Sequence, residues 1–344
     1  MTQIEDIGHL IDECLHAPIE SLDPLFERAF KEARERFSDT IAFHMPGMVH
    51  YETDFYEATD PYRFPSFSVT GSGCALNCEH CKGHLLESMI PTLAPEILWE
   101  KLREVKRRGG KGALVSGGAT SKGNTPLMEF VPVMAKAKKE LDLNIVVHTG
   151  VVFPEMARAL ADAEIDGAML DVIGSAETLR EVYHLNLKPT SFDQSMALLE
   201  ENGVPVMPHI VVGLHFGKLV GEAEAIKMIA KHDPKSIIVV ALKPLDGTPM
   251  EQVTPSSPTD IARVILATRL AIPDKPLILG CARPHGAHRR ETDRLAIDAG
   301  VSGIAYPTEE GYEHAKERGL SIVMSEECCS LMDNALPLLS QGGR

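Results

Sequence analysis

Short runs of β-branched residues alternate with longer amphipathic segments through most of the chain, and this alternation limits the folds that it can adopt. Several runs, such as Ser236–Leu242, are continuously apolar, as expected where both faces of a strand are buried. Segments such as Ala94–Arg108, apolar along one side only, read as the helices between them. The predicted strands are Ser66–Thr70, Ala113–Ser116, Asn144–His148, Gly167–Val172, Val206–Gly213, Ser236–Leu242, Leu277–Cys281 and Gly303–Tyr306. This pattern predicts a parallel sheet with right-handed crossovers.

Eight strand–helix units predict an α/β fold of the (β/α)8 TIM-like barrel class, with a doubly wound open sheet as the alternative. We assign the barrel to residues 65–320. An N-terminal helical extension occupies residues 1–64, and a C-terminal tail occupies residues 321–344.

Composition excludes some classes of function. The formal net charge of −15 argues against a protein that follows nucleic-acid phosphates, which needs clustered Lys and Arg. No apolar run approaches the roughly 18 residues of a membrane span. The first residues are acidic and amphipathic, unlike a secretory or transit peptide, so a cytoplasmic protein is expected.

The cysteines are unevenly distributed. Of seven, three lie within eight residues in the loop after the first predicted strand: Cys74, Cys78 and Cys81. At the carboxyl end of a barrel strand such a loop lies on the catalytic face. Three thiolates there can hold three irons of a cubane cluster and leave the fourth iron open. The alternative is a zinc site completed by His80 or His84.

The spacing C-x3-C-x2-C after a first strand resembles the signature of the radical S-adenosylmethionine (radical SAM) superfamily. His80 stands where that family often has an aromatic residue, and Ser116-Gly117-Gly118 resembles its Gly-Gly-Glu motif without the acid. The resemblance implies a [4Fe–4S] cluster, S-adenosylmethionine and a 5′-deoxyadenosyl radical that activates a C–H bond.

The resemblance also implies cofactor contacts at the carboxyl ends of the strands. His209-Ile210 to Gly213 resembles the fifth-strand motif that contacts adenine, and His148 and Asp171 are placed to bind ribose or carboxylate. Purely structural roles for these residues are the alternative. The expected cofactor-binding residues are His80, Ser116, Gly117, Gly118, His148, Asp171, Ile210 and Gly213.

The run Val182–Asn186 and the full strand count resemble the biotin synthase and lipoyl synthase branch, including the two-component lipoyl synthases. That resemblance implies sulfur insertion into an octanoyl chain, with an auxiliary iron–sulfur cluster as the sulfur source. Cys14, Cys328 and Cys329 are the candidate ligands of that cluster, provided that both extensions meet across the barrel mouth. Cys281 and Arg283, after the seventh strand, are expected to face the active site, Arg283 as a carboxylate-binding group.

Two other hypotheses remain open. One is a biotin synthase-like mutase, lyase or cofactor maturase without a sacrificial cluster. The other is a non-catalytic iron–sulfur carrier. Expected partners are a small-molecule or carrier-protein-bound acyl substrate, a reductant such as ferredoxin or flavodoxin, and a second radical SAM protein. Neither nucleic acid nor membrane is expected.

Overall fold

Eleven strands form one sheet in which every hydrogen-bonded pair of neighbours is parallel. The computed structural model describes residues 2–47, 51–57 and 60–332. In chain order the strands are β1 Thr40–His44, β2 Glu52–Thr53, β3 Tyr56–Glu57, β4 Ser66–Ser68, β5 Ile90–Pro91, β6 Gly112–Ser116, β7 Asn144–His148, β8 Gly167–Asp171, β9 Val206–Val212, β10 Ile237–Ala241, β11 Leu277–Leu279, β12 Gly303–Ala305 and β13 Ser321–Ser325. β2 and β3 form a separate antiparallel pair.

The eight predicted strands correspond to β4 and β6–β12, and they lie side by side in chain order. A doubly wound sheet reverses its strand order at a switch point, so this succession confirms the predicted TIM-like order and excludes the doubly wound alternative. The sheet also extends beyond the prediction, with β1 and β13 at one edge and β5 at the other. Within the described ranges no strand pair joins the two edges of the sheet. Instead, Arg63, just before β4, forms an ion pair with Glu326, just after β13.

Helices cover the outer face of the sheet. They are α1 Thr2–His16, α2 Asp23–Phe37, α3 Pro95–Arg107, α4 Val131–Leu141, α5 Pro154–Asp162, α6 Ala176–Glu181, α7 Thr190–Glu201, α8 Glu222–Ile229, α9 Pro258–Ala271, α10 Ala287–Asp298 and α11 Glu309–Glu317. Local chemistry fixes their ends. In α9, the side chains of Ser257 and Asp260 cap each other's backbone N–H groups, and Pro258 occupies the first turn.

Both extensions belong to the barrel rather than to separate bodies. The N-terminal helix α1 packs against α9 on the outside, while β1 pairs with β12 and β13. After β13 the tail enters the amino end of the barrel. There Glu327 accepts a hydrogen bond from Asn144 and the Ser330 carbonyl accepts one from Ser236 (2.9 Å). Residues 333–344 of the predicted tail lie outside the described residues.

The tail therefore forms a floor to the barrel. Ser330 is fully buried, Met332 is 1% exposed, and the Met332 sulfur lies 3.1 Å from His44 Nε2. None of the described helices combines the length and apolar character needed to cross a bilayer.

Candidate active site

The loop of Cys74, Cys78 and Cys81 follows β4 at the carboxyl edge of the sheet, as predicted. Its turns are tight: the N–H of Cys81 and that of Lys82 both bond to the Cys78 carbonyl, at 3.2 and 2.9 Å. Cys78 and Cys81 are buried, Cys74 is half-buried, and the group packs with Leu76 and Leu185 apart from the main core. The fold thus presents three thiols inside a small apolar shell.

The donor set fits an iron–sulfur cluster better than a zinc ion. Zinc bound by thiolates at about 2.3 Å would bring the ligand atoms within about 4 Å of one another. In the part of the chain that the structure describes, such a tight group is formed by Glu177, Glu181 and His215, not by the three thiols. A cubane spreads its cysteine ligands further apart. Soft thiolates suit zinc as well as iron, so the spacing of the three thiols is the observation that favours the cubane.

The thiols are also electrostatically coupled. A hydrogen bond with Cys78, supported by the neighbouring His80, lowers the pKa of Cys81 to about 4, whereas the same bond and burial raise the pKa of Cys78. The pair therefore shares one proton, and ligation by a metal would release it.

The glycines after β6 hold the cysteine loop in place. A Cβ atom on Gly118 would lie 2.0 Å from the Gly73 carbonyl oxygen and 2.7 Å from the Cys74 Cα. The Gly118 N–H donates to Thr70 Oγ1 (2.7 Å). Gly117 has more room, since its Cβ would stay 3.0 Å from Thr70. The sequence predicted that a ligand approaches these glycines closely. The structure shows in addition that the backbone of Gly118 lies close to the backbone of Gly73 and Cys74.

A polar wall lines the interior beside this loop. His148 Nε2, at the end of β7, lies 3.5 Å from Asp171 Oδ1 at the end of β8. Tyr183 donates to the other oxygen of Asp171 (3.4 Å) and packs against the His80 ring. The His209 ring, on β9, lies 5.6 Å from that of His148. The predicted residues His80, His148 and Asp171 are thereby brought together.

These groups have defined charges. Burial opposes ionisation of both Asp171 and His148, but their mutual hydrogen bond lowers the pKa of Asp171 to about 2 and raises the pKa of His148. Burial, with the nearby charge of His148, lowers the pKa of His209 to about 4. The wall therefore offers an ionised carboxylate, an imidazole whose protonation that carboxylate favours, and a second imidazole that is neutral near neutral pH.

The fifth-strand motif is fixed by an acid that follows it. Gly213, at a φ of +72°, donates its N–H to Glu222 Oε1 (2.8 Å) at the start of α8. A narrow cavity lies behind this turn, bounded by Ile210 and Glu222. The other Glu222 oxygen is buried without a partner among the described residues. Glu222 thus positions Gly213, and the contact of Ile210 and Gly213 with adenine stays a prediction.

The predicted auxiliary ligand set is not assembled. Cys14 lies on α1, outside the barrel, where its carbonyl accepts a hydrogen bond from Arg263. Cys328 and Cys329 lie inside, because the tail forms the floor instead of crossing the mouth. A hydrogen bond with Cys329 lowers the pKa of Cys328 to about 7. Cys14 therefore cannot join Cys328 and Cys329 at one cluster.

The predictions for Cys281 and Arg283, which both follow β11, have different outcomes. Cys281 is exposed, and burial of its thiol together with the nearby charge of Cys328 raises its pKa. Its place in the active site stays a prediction. Arg283 is fully buried and does not face the site. It pairs with Asp293 (2.8 Å) and donates to the carbonyls of Gly280 and Ala305. The prediction that Arg283 binds a substrate carboxylate is wrong, because its donors are already used.

Sequence reasoning missed His209 and Tyr183 as site residues. Strand alternation offered a signal for His209, since it shares the inner face of β9 with alternate residues. Tyr183 gave none, because its contact with Asp171 depends on how the loop after α6 folds back.

Two sequence families match consecutive parts of the chain. The Radical SAM superfamily matches residues 68–233, and the Biotin and Thiamin Synthesis associated domain matches residues 239–326. Biotin synthase of Synechococcus sp. (strain CC9311) is 23% identical over 249 residues, which cover 70% of this chain and 74% of that protein. Biotin synthase of Sorangium cellulosum (strain So ce56) is 26% identical over 253 residues, covering 70% and 69%.

Solved structures show the same fold. HydG, a maturase of the [FeFe]-hydrogenase, superimposes with a TM-score of 0.65 at 18% identity, over 98% of this chain and 79% of that one. Methylornithine synthase (PylB) gives 0.62 at 16% identity, over 93% of both chains. At these identities the likeness concerns the fold alone. The cysteine loop, the barrel and the two consecutive domain matches together show that the chain belongs to the radical SAM superfamily, in its biotin synthase-like branch.

Proposed function

We propose that the chain activates a C–H bond of a small organic molecule inside the barrel, as a biotin synthase-like mutase, lyase or maturase without a sacrificial cluster. The observation that carries this proposal is that the cysteine loop and the wall of His148, Asp171 and His209 border one interior space. When bound, the cluster and S-adenosylmethionine supply one-electron reduction and hydrogen-atom abstraction. Cys74, Cys78 and Cys81 would hold the cluster.

The chain's own residues would bind and orient the reactants. Asp171, held ionised by His148, accepts hydrogen bonds from ribose hydroxyls or an amino group, and His148 donates to an acceptor. Tyr183 fixes the second Asp171 oxygen, so the carboxylate keeps one orientation. The floor formed by the tail closes the amino end, which helps to exclude water from the reaction.

The test uses the anaerobically reconstituted holoenzyme reduced with dithionite, with 5′-deoxyadenosine as the measured product. We expect Asp171→Asn to lower its formation about tenfold or more, because a charged hydrogen bond contributes roughly 1.5–3 kcal/mol. Asp166→Asn is the matched control. Asp166 lies just before the first residue of β8, at the opposite end of that strand from Asp171, and pairs with Lys138 on α4. No cleavage by the wild type would leave the non-catalytic carrier as the better hypothesis, and equal losses in both variants would refute the role of Asp171.

A second candidate function is sulfur insertion into an octanoyl chain, on a carrier protein and with a second radical SAM protein. One observation favours it: Cys328 and Cys329 are buried inside the barrel, next to Ser330, whose hydroxyl contacts the sulfur of Met169 on β8 (3.1 Å). An auxiliary cluster there would give about eight irons per chain instead of about four. Replacing Cys328 and Cys329 by Ala separates the two. Under our proposal product formation persists, whereas under sulfur insertion only cofactor cleavage persists. A cytoplasmic location and a ferredoxin or flavodoxin reductant go with either function.

A further inference from the structure

A group of cationic side chains lies at the carboxyl edge of the barrel, opposite the wall of His148 and Asp171 in strand order. Lys243 follows β10, and His285 and Arg289 flank the start of α10. Arg289 Nη1 lies 3.5 Å from His285 Nδ1, and Arg289 Nη2 donates to the Tyr306 carbonyl (2.8 Å). We call Lys243, His285 and Arg289 the cationic rim.

The described residues offer the cationic rim no acidic partner. Within the described ranges, no carboxylate lies within ion-pair distance of Lys243 or Arg289. The nearby acid, Asp293, is committed to Arg283. Arg289 Nε is buried and has no hydrogen-bond partner among the described residues. A buried donor left unpaired is costly, so this nitrogen is poised to meet an acceptor that comes from elsewhere.

The start of α10 adds backbone donors at the same place. Its N-cap, Gly286, provides no side-chain cap, and no acidic residue lies in the first turn. The first turn instead carries His288, Arg289 and Arg290, although cations are unfavourable beside the positive end of a helix dipole. The space in front of Gly286 is open, because a Cβ atom on this residue would have no atom within 4 Å beyond its chain neighbours. Helix start and cationic side chains therefore both favour an anion.

The pKa values of these groups shift in the direction expected of neighbouring cations. Burial and the proximity of Arg283 lower the pKa of Arg289 to about 10, and burial with the charges of Lys243 and Arg289 lowers the pKa of His285. A bound anion would relieve this repulsion.

The cationic rim borders the space used by the proposed reaction. Lys243 follows β10 and Cys281 follows the neighbouring strand β11, so both lie at the carboxyl edge of the sheet, as does the cysteine loop after β4. The loop that carries Lys243 continues to Leu245, which packs against the group containing Cys78 and Cys81. One loop thus connects the cationic rim to the cysteine loop.

We propose that Lys243, His285, Arg289 and the first N–H groups of α10 bind the anionic end of the substrate, a carboxylate or a phosphate. This inference rests on the proposed function, whose site it completes. It assigns the substrate to the class of small organic anions and orients it, with its charged end at α10 and its reacting carbon toward the cysteine loop.

The first test measures anion binding to the reconstituted holoenzyme by calorimetry, with acetate and inorganic phosphate as separate probes. We expect the anion that matches the substrate to bind at least tenfold more weakly to the double variant Lys243→Gln/Arg289→Gln. Arg290→Gln is the matched control, since Arg290 pairs with Glu310 on the outer side of the same helix. If the double variant does not fold, Lys243→Gln alone replaces it, with a weakening of about threefold or more expected. Equal affinity of wild type and variant for both anions overturns the proposal.

The second test separates this inference from the proposed function. Matched pairs of small acids, phosphate esters and uncharged amides are screened for stimulation of 5′-deoxyadenosine formation. Stimulation by acids or by phosphates identifies the source of the anion, whereas equal stimulation by the amides overturns the inference but leaves the proposed function intact. If the wild type cleaves no cofactor with any compound yet still binds an anion through the cationic rim, the proposed function fails and the anion site stands.

Discussion

The two ends of the barrel are built in opposite ways. At the carboxyl end, His148 and Asp171 keep 29% and 32% of their side-chain surface exposed, and their partnership raises the pKa of His148. At the amino end the tail forms the floor, in which Ser330 is fully buried and Met332 is 1% exposed. Burial lowers the pKa of His44, the last residue of β1, whose ring contacts Met332, to about 4. The carboxyl end holds accessible charge, and the floor excludes it. In barrels of this kind the first arrangement serves chemistry and the second serves stability.

The largest expected effect tests whether the three thiols of the cysteine loop differ from a thiol outside the barrel. Cys74→Ala should lower cofactor cleavage by more than about a hundredfold, because losing a ligand costs more than the 10–100-fold typical of outer-shell changes. Cys14→Ala is the control, since Cys14 lies on the outside of the barrel. Iron content and 5′-deoxyadenosine formation are measured for both. A Cys74→Ala protein with full iron and activity would contradict the assignment of the site.

The second prediction tests whether Arg283 binds the substrate or stabilises the buried core. Arg283→Met leaves Asp293 buried without its partner, and we expect a loss of about 3–5 kcal/mol in the free energy of unfolding. The double variant Arg283→Met/Asp293→Leu should recover a large part of that loss. Urea unfolding of the holoenzyme measures both. If Arg283→Met kept wild-type stability and lost only activity, Arg283 would serve the substrate after all.

A smaller effect concerns the packing of the carboxyl end. Gly118→Ala places a methyl group against the backbone of Gly73 and Cys74, so the cysteine loop must shift. We expect cofactor cleavage to fall about tenfold, within the range of losses typical when support of a metal ligand is disturbed. Gly117→Ala, where the nearest atom is a Thr70 side-chain oxygen at 3.0 Å, should lose less. Equal activities of the two variants would show that the close approach at Gly118 does not position the loop.

The sequence predicted the parts of this molecule that depend on local pattern. Apolar runs marked β4 and β6–β12, because strands covered on both faces carry little polar sequence. The loop of Cys74, Cys78 and Cys81 could be predicted as a metal site from the sequence, because all three cysteines lie on one turn of chain. The Ser-Gly-Gly segment at the end of β6 could be predicted for the same reason.

Contacts between distant parts of the chain could not be predicted. β13 alternates exposed and half-buried residues, a weak strand signal, and its pairing with β1 joins residues far apart in sequence. The pairing of Asp293 with Arg283 joins α10 to the loop after β11, and no local pattern indicates it. No local sequence pattern indicates that the tail enters the barrel, and this path separates Cys328 and Cys329 from Cys14.

The smallest expected effect concerns His44, whose pKa is lowered by burial, in contrast to His148, whose pKa is raised. Because burial lowers the pKa of His44 from its ordinary 6.5 to about 4, the unfolded chain takes up its proton first, and stability falls as the pH falls from about 6.5 to about 4. Replacing His44 by Phe removes this contribution, so the stability difference between wild type and variant should change by about 1 kcal/mol between pH 7.5 and 5.5. His9→Gln, on the exposed side of α1, is the control. Urea unfolding of the anaerobic holoenzyme at the two pH values measures the change. A difference that stays constant would mean that His44 keeps its ordinary pKa in the folded chain, so that burial against the tail does not exclude its charge.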